Sequence, residues 1–319
     1  MPTDHFLRLT VFRITVFCFS ATAIFSQTVA DLLGLPEKKA FCTNRTSDDC
    51  LQIATFNIEW FPLGRPENRK DIDHALKVAE RQKTVADFIL QQDWEIIAVQ
   101  EVQGGGTFRR FVKNYLGESY RSISTISGRQ QRIAIVWKHD LLQLISSKEL
   151  FSDKKNAPYY DRTNRRPLQA NFLHKKSGRQ FSVIAVHFKS NGQDTSCEKR
   201  RTQVNDLSRY VQTVDLPWLL LGDFNDVIAG NGICSRIDTM TAFEQLPQAG
   251  FLTSEENIHP PGTATYFLKP YRSVIDHILI SDQLLPDLFP AQSHRAFVLE
   301  HNDRKISDHN PVEIWLHFR

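Results

Sequence analysis

The stretch "WLLLGDFND", residues 218–226, sets the tightest limit on how this chain folds. Its apolar run reads as a strand covered on both faces, which requires packed material above and below it. The run then ends on Asp223, Asn225 and Asp226. Acids at the end of a buried strand are costly unless a metal, a cation or a reacting group needs them there. Gly, Asp and Asn are also ordinary turn residues. On this stretch alone a turn and a site stay equally open.

Other segments repeat the pattern. "QIATFNIEWF" (52–61), "WEIIAVQEV" (94–102), "QRIAIVWK" (131–138), "RPLQANFLH" (166–174), "QFSVIAVHFKS" (180–190), "SVIDHILIS" (273–281) and "PVEIWLHF" (311–318) read as strands. Apolar residues at helical spacing predict helices over 71–92, 107–116 and 197–214, with another near 239–249. The elements interleave without the steady alternation of a barrel or a doubly wound sheet. Two sheets packed face to face with helices outside are expected.

Polar groups recur at the strand ends. Asn57 and Glu59 lie two apart and are expected on one face, as are Asp223 and Asn225. Gln100 and Glu101, His187, Asp276, and the turn with Ser307, Asp308 and His309 complete the set. Turn chemistry explains one such group better than it explains them all. Carboxylate and amide oxygens suit a hard divalent cation. Phosphoryl chemistry also needs a group that directs water.

The net charge of +3 implies no partner by itself. Its distribution says more: from Lys154 to Arg201, twelve Lys or Arg stand against three acids. Such a segment would attract a phosphate-bearing partner, the plain alternative being a solvated basic face. No linker, repeat or low-complexity tract divides the chain, so residues 31–319 are expected to form a single domain.

Residues 1–30 differ. Arg8 and Arg13 flank or interrupt an apolar run from Leu9 to Phe25, and small residues end at Ala23 and Ala30. This reads as a secretory signal peptide with two cleavage points, and so as a secreted or periplasmic protein. A membrane anchor is the alternative, but the run is short and carries an internal Arg. Removal of the signal takes Cys18 and leaves Cys42, Cys50, Cys197 and Cys234. An even number in an oxidising compartment suggests disulfides. Of the three pairings, Cys42–Cys50 closes a short loop, while Cys197–Cys234 ties the loop after the His187 strand to the loop after the Asp223 strand. A zinc site is the alternative, but no CxxC pair supports it.

In this order, "TFNIEWF", "VQEV", "VHFKS", "GDFND", "IDHIL" and "SDHNPV" resemble the endonuclease/exonuclease/phosphatase superfamily, the deoxyribonuclease I-like enzymes. The resemblance covers about residues 51–319. It implies a four-layer α/β sandwich of two mixed β-sheets flanked by helices. It also implies a site at one end that hydrolyses phosphate esters with Mg2+ or Mn2+, Ca2+ being the alternative as a structural ion. On the same resemblance Glu101 is the principal metal ligand, with Asn57 and Glu59 beside it and Asp308 in metal or phosphate contact. Asp223 and Asn225 activate and position water, His309 contacts the scissile phosphate, Asp276 orients His309, and His187 is a second histidine.

One departure stands out. Deoxyribonuclease I pairs its first histidine with a glutamate on a neighbouring strand, where this chain has Gln131 and Arg132. What orients His187 is therefore open, and Arg132 and Arg166 become candidates for the substrate phosphate. The stretch "GTATYFLKPYRSVIDHIL" is similar to secreted bacterial nucleases. The expectation is a secreted, monomeric, metal-dependent nuclease with nucleic acid as its substrate, DNA first and RNA second. Sphingomyelinase-like and inositol-lipid phosphoesterases are the alternatives. A non-catalytic binding protein is disfavoured, because the acids and histidines are all present.

Overall fold

The two-residue period of the strands decides which layer each side chain enters. In β1 (Cys50–Phe61), Leu51 and Ile53 enter one core while Ala54, Phe56 and Ile58 enter another. In β8 (Trp218–Asp223), Leu219 and Leu221 share the core of Leu51, whereas Leu220 points to a third. Strands that bury both faces need cover on both sides. That is the four-layer arrangement.

The structure is a computed structural model. It describes residues 49–65, 73–152, 165–190, 193–228, 234, 239–254, 257–268, 270–288, 296–301 and 303–318. Leu51–Arg319 form one compact unit, and Met1–Cys50 form another of which only Asp49 and Cys50 are described. The signal-peptide reading and Cys42 lie outside the described residues, as does part of the basic segment. Among the described residues, no helix is long and apolar enough to cross a membrane.

The chain continues through α1 (His74–Gln92), β2 (Ile96–Val102), α2 (Gly105–Phe111) with a π turn after it, β3 (Tyr120–Ser124), β4 (Arg132–Lys138) and β5 (Leu142–Glu149). Then follow β6 (Leu168–His174), β7 (Gln180–His187), α3 (Asp194–Val211), β8 and the short α4 (Thr241–Glu244). The last elements are β9 (Ala249–Phe251), β10 (Ile258–His259), β11 (Asp276–Ser281), β12 (Ala296–Val298) and β13 (Val312–His317). One sheet has the order β10-β12-β13-β1-β2-β4-β3, the other β5-β6-β7-β8-β11-β9. Both are mixed: β1 runs parallel to β2 and β7 to β8, while β2–β4 and β8–β11 are antiparallel.

The inter-sheet core joins Ile53, Ala98 and Ile135 of the first sheet to Phe172, Val183, Leu221 and Ile278 of the second. Outside the first sheet, Val85 and Ile89 of α1 and Phe108 of α2 pack on Phe56, Ile97 and Val99. Outside the second, Val204, Leu207 and Val211 of α3 pack on Ile184 and Leu220. Each of these side chains stabilises the fold by roughly 1.5–3 kcal/mol on leaving water.

Two register facts position the site. His187 pairs with Asp223 across the parallel β7–β8 ladder, and Asp223 pairs with Asp276 across β8–β11. Three polar residues therefore stand abreast, on the inner face that carries Val183, Leu221 and Ile278 deeper in the sandwich. Asn57 stands on the inner face of β1, in line with Leu51 and Ile53 and paired with Gln100. The polar end groups are the last layer of the inter-sheet core.

Candidate active site

Asn57 links the two sheets. Its Nδ2 donates to Asp223 Oδ2 at 2.9 Å and lies 3.4 Å from Glu101 Oε1. His187 Nε2 approaches the same two carboxylates, at 3.4 Å from Asp223 Oδ2 and 3.9 Å from Glu101 Oε1. Asp223 Oδ1 accepts the Asn225 backbone N–H at 2.8 Å. Glu101 reaches this group because its backbone is left-handed (φ 64°), and its Oε2 accepts the Trp60 N–H at 3.0 Å.

A second pair stands beside it. His309 Nδ1 lies 2.8 Å from Asp276 Oδ2, and Ser307 Oγ accepts the His309 N–H while donating to Asn57 O at 2.6 Å. Burial opposes the charge on His309 most strongly, but Asp276, by charge and hydrogen bond, then Asp223 and Glu101 outweigh it and raise its pKa to about 9. Burial, and then Asp276, push Asp223 up to about 7 against the lowering pull of His309 and Asn57. The imidazole is thus a cation at neutral pH beside a carboxyl group poised to take a proton.

His187 is different. It is buried, its Nδ1 has no hydrogen-bond partner among the described residues, and burial followed by Arg165 holds its pKa well below the usual histidine value. Among the described residues no carboxylate orients its ring through Nδ1. Arg165 Nη1 donates to Gln131 Oε1 at 2.7 Å, and its Nε and Nη2 hold the carbonyls of His187 and Phe188 at 3.1 and 2.7 Å. Arg165 also faces Glu101 and Asp223 electrostatically. Sequence reasoning missed it in favour of its neighbour. Nothing in "NRRPLQ" separates two adjacent arginines, although the period of two puts them on opposite sides of an extended chain.

Two expectations of shared strand faces fail. Glu59 does not continue the face of Asn57: β1 loses register after Asn57, and Glu59 is left-handed (φ 40°). Its carboxylate is taken by Arg65 at 3.2 Å and Arg304 at 3.0 Å. Asn225 lies past the end of β8 with φ 53°, and its Nδ2 donates to Phe188 O at 3.2 Å. Bulges and left-handed residues break the alternation on which both expectations rested. Asp308 is near the site, with Oδ1 3.9 Å from His309 Nε2 and Oδ2 3.4 Å from Arg304. Arg132 Nε donates to Arg129 O, and the Arg166 N–H donates to Ser127 Oγ. Among the described residues, the contacts of these two arginines do not include the central carboxylates.

Cys197 and Cys234 form a disulfide with Cα atoms 5.8 Å apart. Behind it Arg200 is fully buried in α3 and donates to Asp226 Oδ2 at 3.0 Å and to Lys189 O. This links the loop after His187 to the loop after Asp223.

The sequence profile of the Endonuclease/Exonuclease/phosphatase family matches residues 54–309. The chain belongs to that family. Its fold is shared by D. rerio TDP2 complexed with single-strand DNA product, at 14% identity and TM-score 0.59, covering 83% of this chain and 98% of the other. The catalytic domain of human Nocturnin with bound sulfate is similar at 17% identity and TM-score 0.57, covering 85% and 95%. A mannosyl-6-phosphatase from Bacteroides thetaiotaomicron is similar at 18% and 0.56, covering 83% and 98%. No curated protein sequence matches the chain.

Family members hydrolyse phosphoric esters and generally depend on a divalent ion. The residues here fit one. Glu101 and Asp223 offer carboxylate oxygens side by side with the Asn57 Nδ2–H between them, Asn57 Oδ1 accepts the Glu59 N–H, and Asp276 Oδ1 is a buried carboxylate oxygen without a hydrogen-bond partner among the described residues. Ligand atoms of Asp223, Asp276 and His309 also lie within 4.8 Å of one another. His309 would have to give up the proton on Nε2, which its raised pKa opposes, to serve as a ligand, so the carboxylate oxygens around Glu101 fit a hard cation better.

Proposed function

We propose that this chain is a secreted, Mg2+- or Mn2+-dependent nuclease that hydrolyses phosphodiesters of nucleic acid, DNA foremost, by attack of an activated water. One observation carries the reading. A charged His309–Asp276 pair stands against Asp223, whose pKa lies near neutrality, in the last layer of the inter-sheet core. Asp223 takes a proton from the attacking water, held in place by the Asn225 N–H and the Asn57 amide. His309 presents its Nε2–H to a non-bridging phosphate oxygen and offsets the charge that grows there, with Asp276 fixing its ring. Neutral His187 donates or accepts a hydrogen bond without carrying charge. Glu101, with Asn57 beside it, would hold a divalent cation, which would supply further neutralisation of the phosphate.

The choice of nucleic acid draws on Arg165 beside the carboxylates, on the basic segment from Lys154 to Arg201, and on the DNA-bound state of D. rerio TDP2. Secretion rests on the N-terminal sequence. The deciding assay sets purified protein with Mg2+ or Mn2+ against plasmid DNA, RNA, sphingomyelin and phosphosugars. Hydrolysis of DNA that stops on chelation and in Glu101→Gln is expected. Asp223→Asn should lower turnover by roughly 10²-fold or more while DNA binding persists. Preference for sphingomyelin or a phosphosugar, or full activity after chelation, would refute the proposal.

A further inference from the structure

Four charged side chains frame the mouth of the site on the His309 side. Arg65, just after β1, reaches Glu59 through Nε at 3.3 Å and Nη2 at 3.2 Å, and lies 3.8 Å from Asp308 Oδ2. Arg304, from the turn before β13, lies 3.0 Å from Glu59 Oε2 and 3.4 Å from Asp308 Oδ2. The two carboxylates hold both guanidinium groups side by side. Yet the arginine side chains are 43% and 44% exposed, while those of Glu59 and Asp308 are 13% and 6% exposed. Arg65 Nη1 and Arg304 Nε make no hydrogen bond among the described residues. The acids face inward and the cations outward.

The frame is rigid. Arg81 of α1 donates through Nη2 to Ile58 O and Glu59 O, at 2.9 and 2.7 Å, and lies 3.4 Å from Ile306 O, so it staples the end of β1 to the turn that carries Arg304. Arg81 bridges no carboxylate among the described residues, while Glu59 and Glu101 both act on it electrostatically. Tyr266 spans the gap to the reacting centre. Its ring centroid lies 5.0 Å from that of His309, and Arg65 and Arg304 both act electrostatically on its hydroxyl.

We infer that Arg65 and Arg304, held by Glu59 and Asp308, form a subsite for a second phosphate of the substrate, next to the one that is cut. This rests on the nucleic-acid reading of the same site. Exposed, pre-positioned guanidinium groups suit a phosphate dianion or a flanking phosphodiester, which each can grip through paired N–H groups. Glu59 is then a positioning residue for the arginines rather than a metal ligand.

The test is calorimetric binding of thymidine 3′,5′-bisphosphate and thymidine 5′-monophosphate in magnesium buffer. The wild-type chain should bind the bisphosphate about tenfold more tightly. That advantage should vanish in Arg65→Gln/Arg304→Gln and shrink in Arg304→Lys, which keeps the charge but loses the fork. Arg304→Gln alone, at an exposed position, decides the matter if the double variant does not fold. Equal affinity for the two probes on wild type, no binding of either, or an advantage kept in the glutamine variants overturns the inference. Plasmid hydrolysis is scored separately: a bisphosphate advantage without DNA cleavage refutes the nuclease reading and leaves the subsite standing.

Discussion

At the scale of residues, the informative pair is His309 with Asp276. The folded-state pKa of His309, about 9, lies above the free value of 6.5. Its contribution to stability is therefore fully present below about pH 6.5 and is lost as pH rises through about 9. Activity that needs the imidazolium should fall over the upper part of that window. Asp276→Asn removes the largest source of the rise, so NMR titration of the His309 ring should show its pKa moving down toward 6.5. The alkaline limb of the pH–rate profile should move with it, and turnover at pH 8 should drop by roughly 10²-fold. An unmoved ring pKa would show that the pair is only a packing contact. The structure brings Asn57, Glu101, His187, Asp223, Asp276 and His309 together, each at the end of an apolar strand or, for His309, in the turn before one. Sequence motifs could not locate Arg65, Arg81, Arg165 or Arg304. A lone arginine in a loop looks the same whether it holds a carbonyl, a carboxylate or solvent.

At the scale of elements, β8 depends on its glycine. Gly222 has φ 152°, and a Cβ placed there would lie 2.1 Å from Val186 O on the neighbouring parallel strand. The ladder that sets His187 against Asp223 closes only without a side chain at this point. Gly222→Ala combines backbone strain with a clash against backbone. It should destabilise the fold by about 3–5 kcal/mol, read as a fall of roughly 10 °C in melting temperature. A stable Gly222→Ala protein with wild-type activity would contradict the packing of β7 on β8. Buried strands were legible from their apolar runs and came out within a few residues of expectation. β3, β5, β9, β10 and β12 were not legible. β5 is largely exposed and polar, and β9, β10 and β12 are two or three residues long, so neither periodicity nor hydrophobicity marks them. The helix expected near 239–249 shrinks to Thr241–Glu244.

For the whole molecule, the proposed catalysis requires two sheets to stay in register at one end. Asn57, Glu101 and His309 come from the first sheet or the turn before its strand β13, and His187, Asp223 and Asp276 from the second. The Cys197–Cys234 bridge spans 37 residues and ties α3 to the loop beyond β8, beside Arg200 and Asp226. Closing a loop of that length stabilises the fold by very roughly 3–4 kcal/mol through chain entropy. Reduction under native conditions should therefore cost activity while circular dichroism still reports a folded chain. The loops holding Lys189 O and Asp226 would loosen before the sheets separate. Activity and ellipticity lost together on reduction would mean that the bridge supports the fold as a whole and not the site. The four-layer architecture was legible because two-faced burial of so many strands leaves few alternatives. The path of the loops across the mouth was not, since their backbone turns on left-handed residues such as Glu59, Trp60, Glu101 and Asn225.

Because the buried polar groups are the topmost course of the inter-sheet packing, any substitution among them acts on the scaffold as well. A lineage diverging toward a new substrate cannot redraw that layer without weakening the sandwich beneath it. It can rewrite the protruding surroundings freely: Ile126 and Tyr271, 82% and 67% exposed, and the paired arginines at the mouth bear no core packing. The buried layer is tied to the core, and the rim is open to substitution. A scaffold partitioned in this way lets the surroundings of the site change while the buried layer keeps its place.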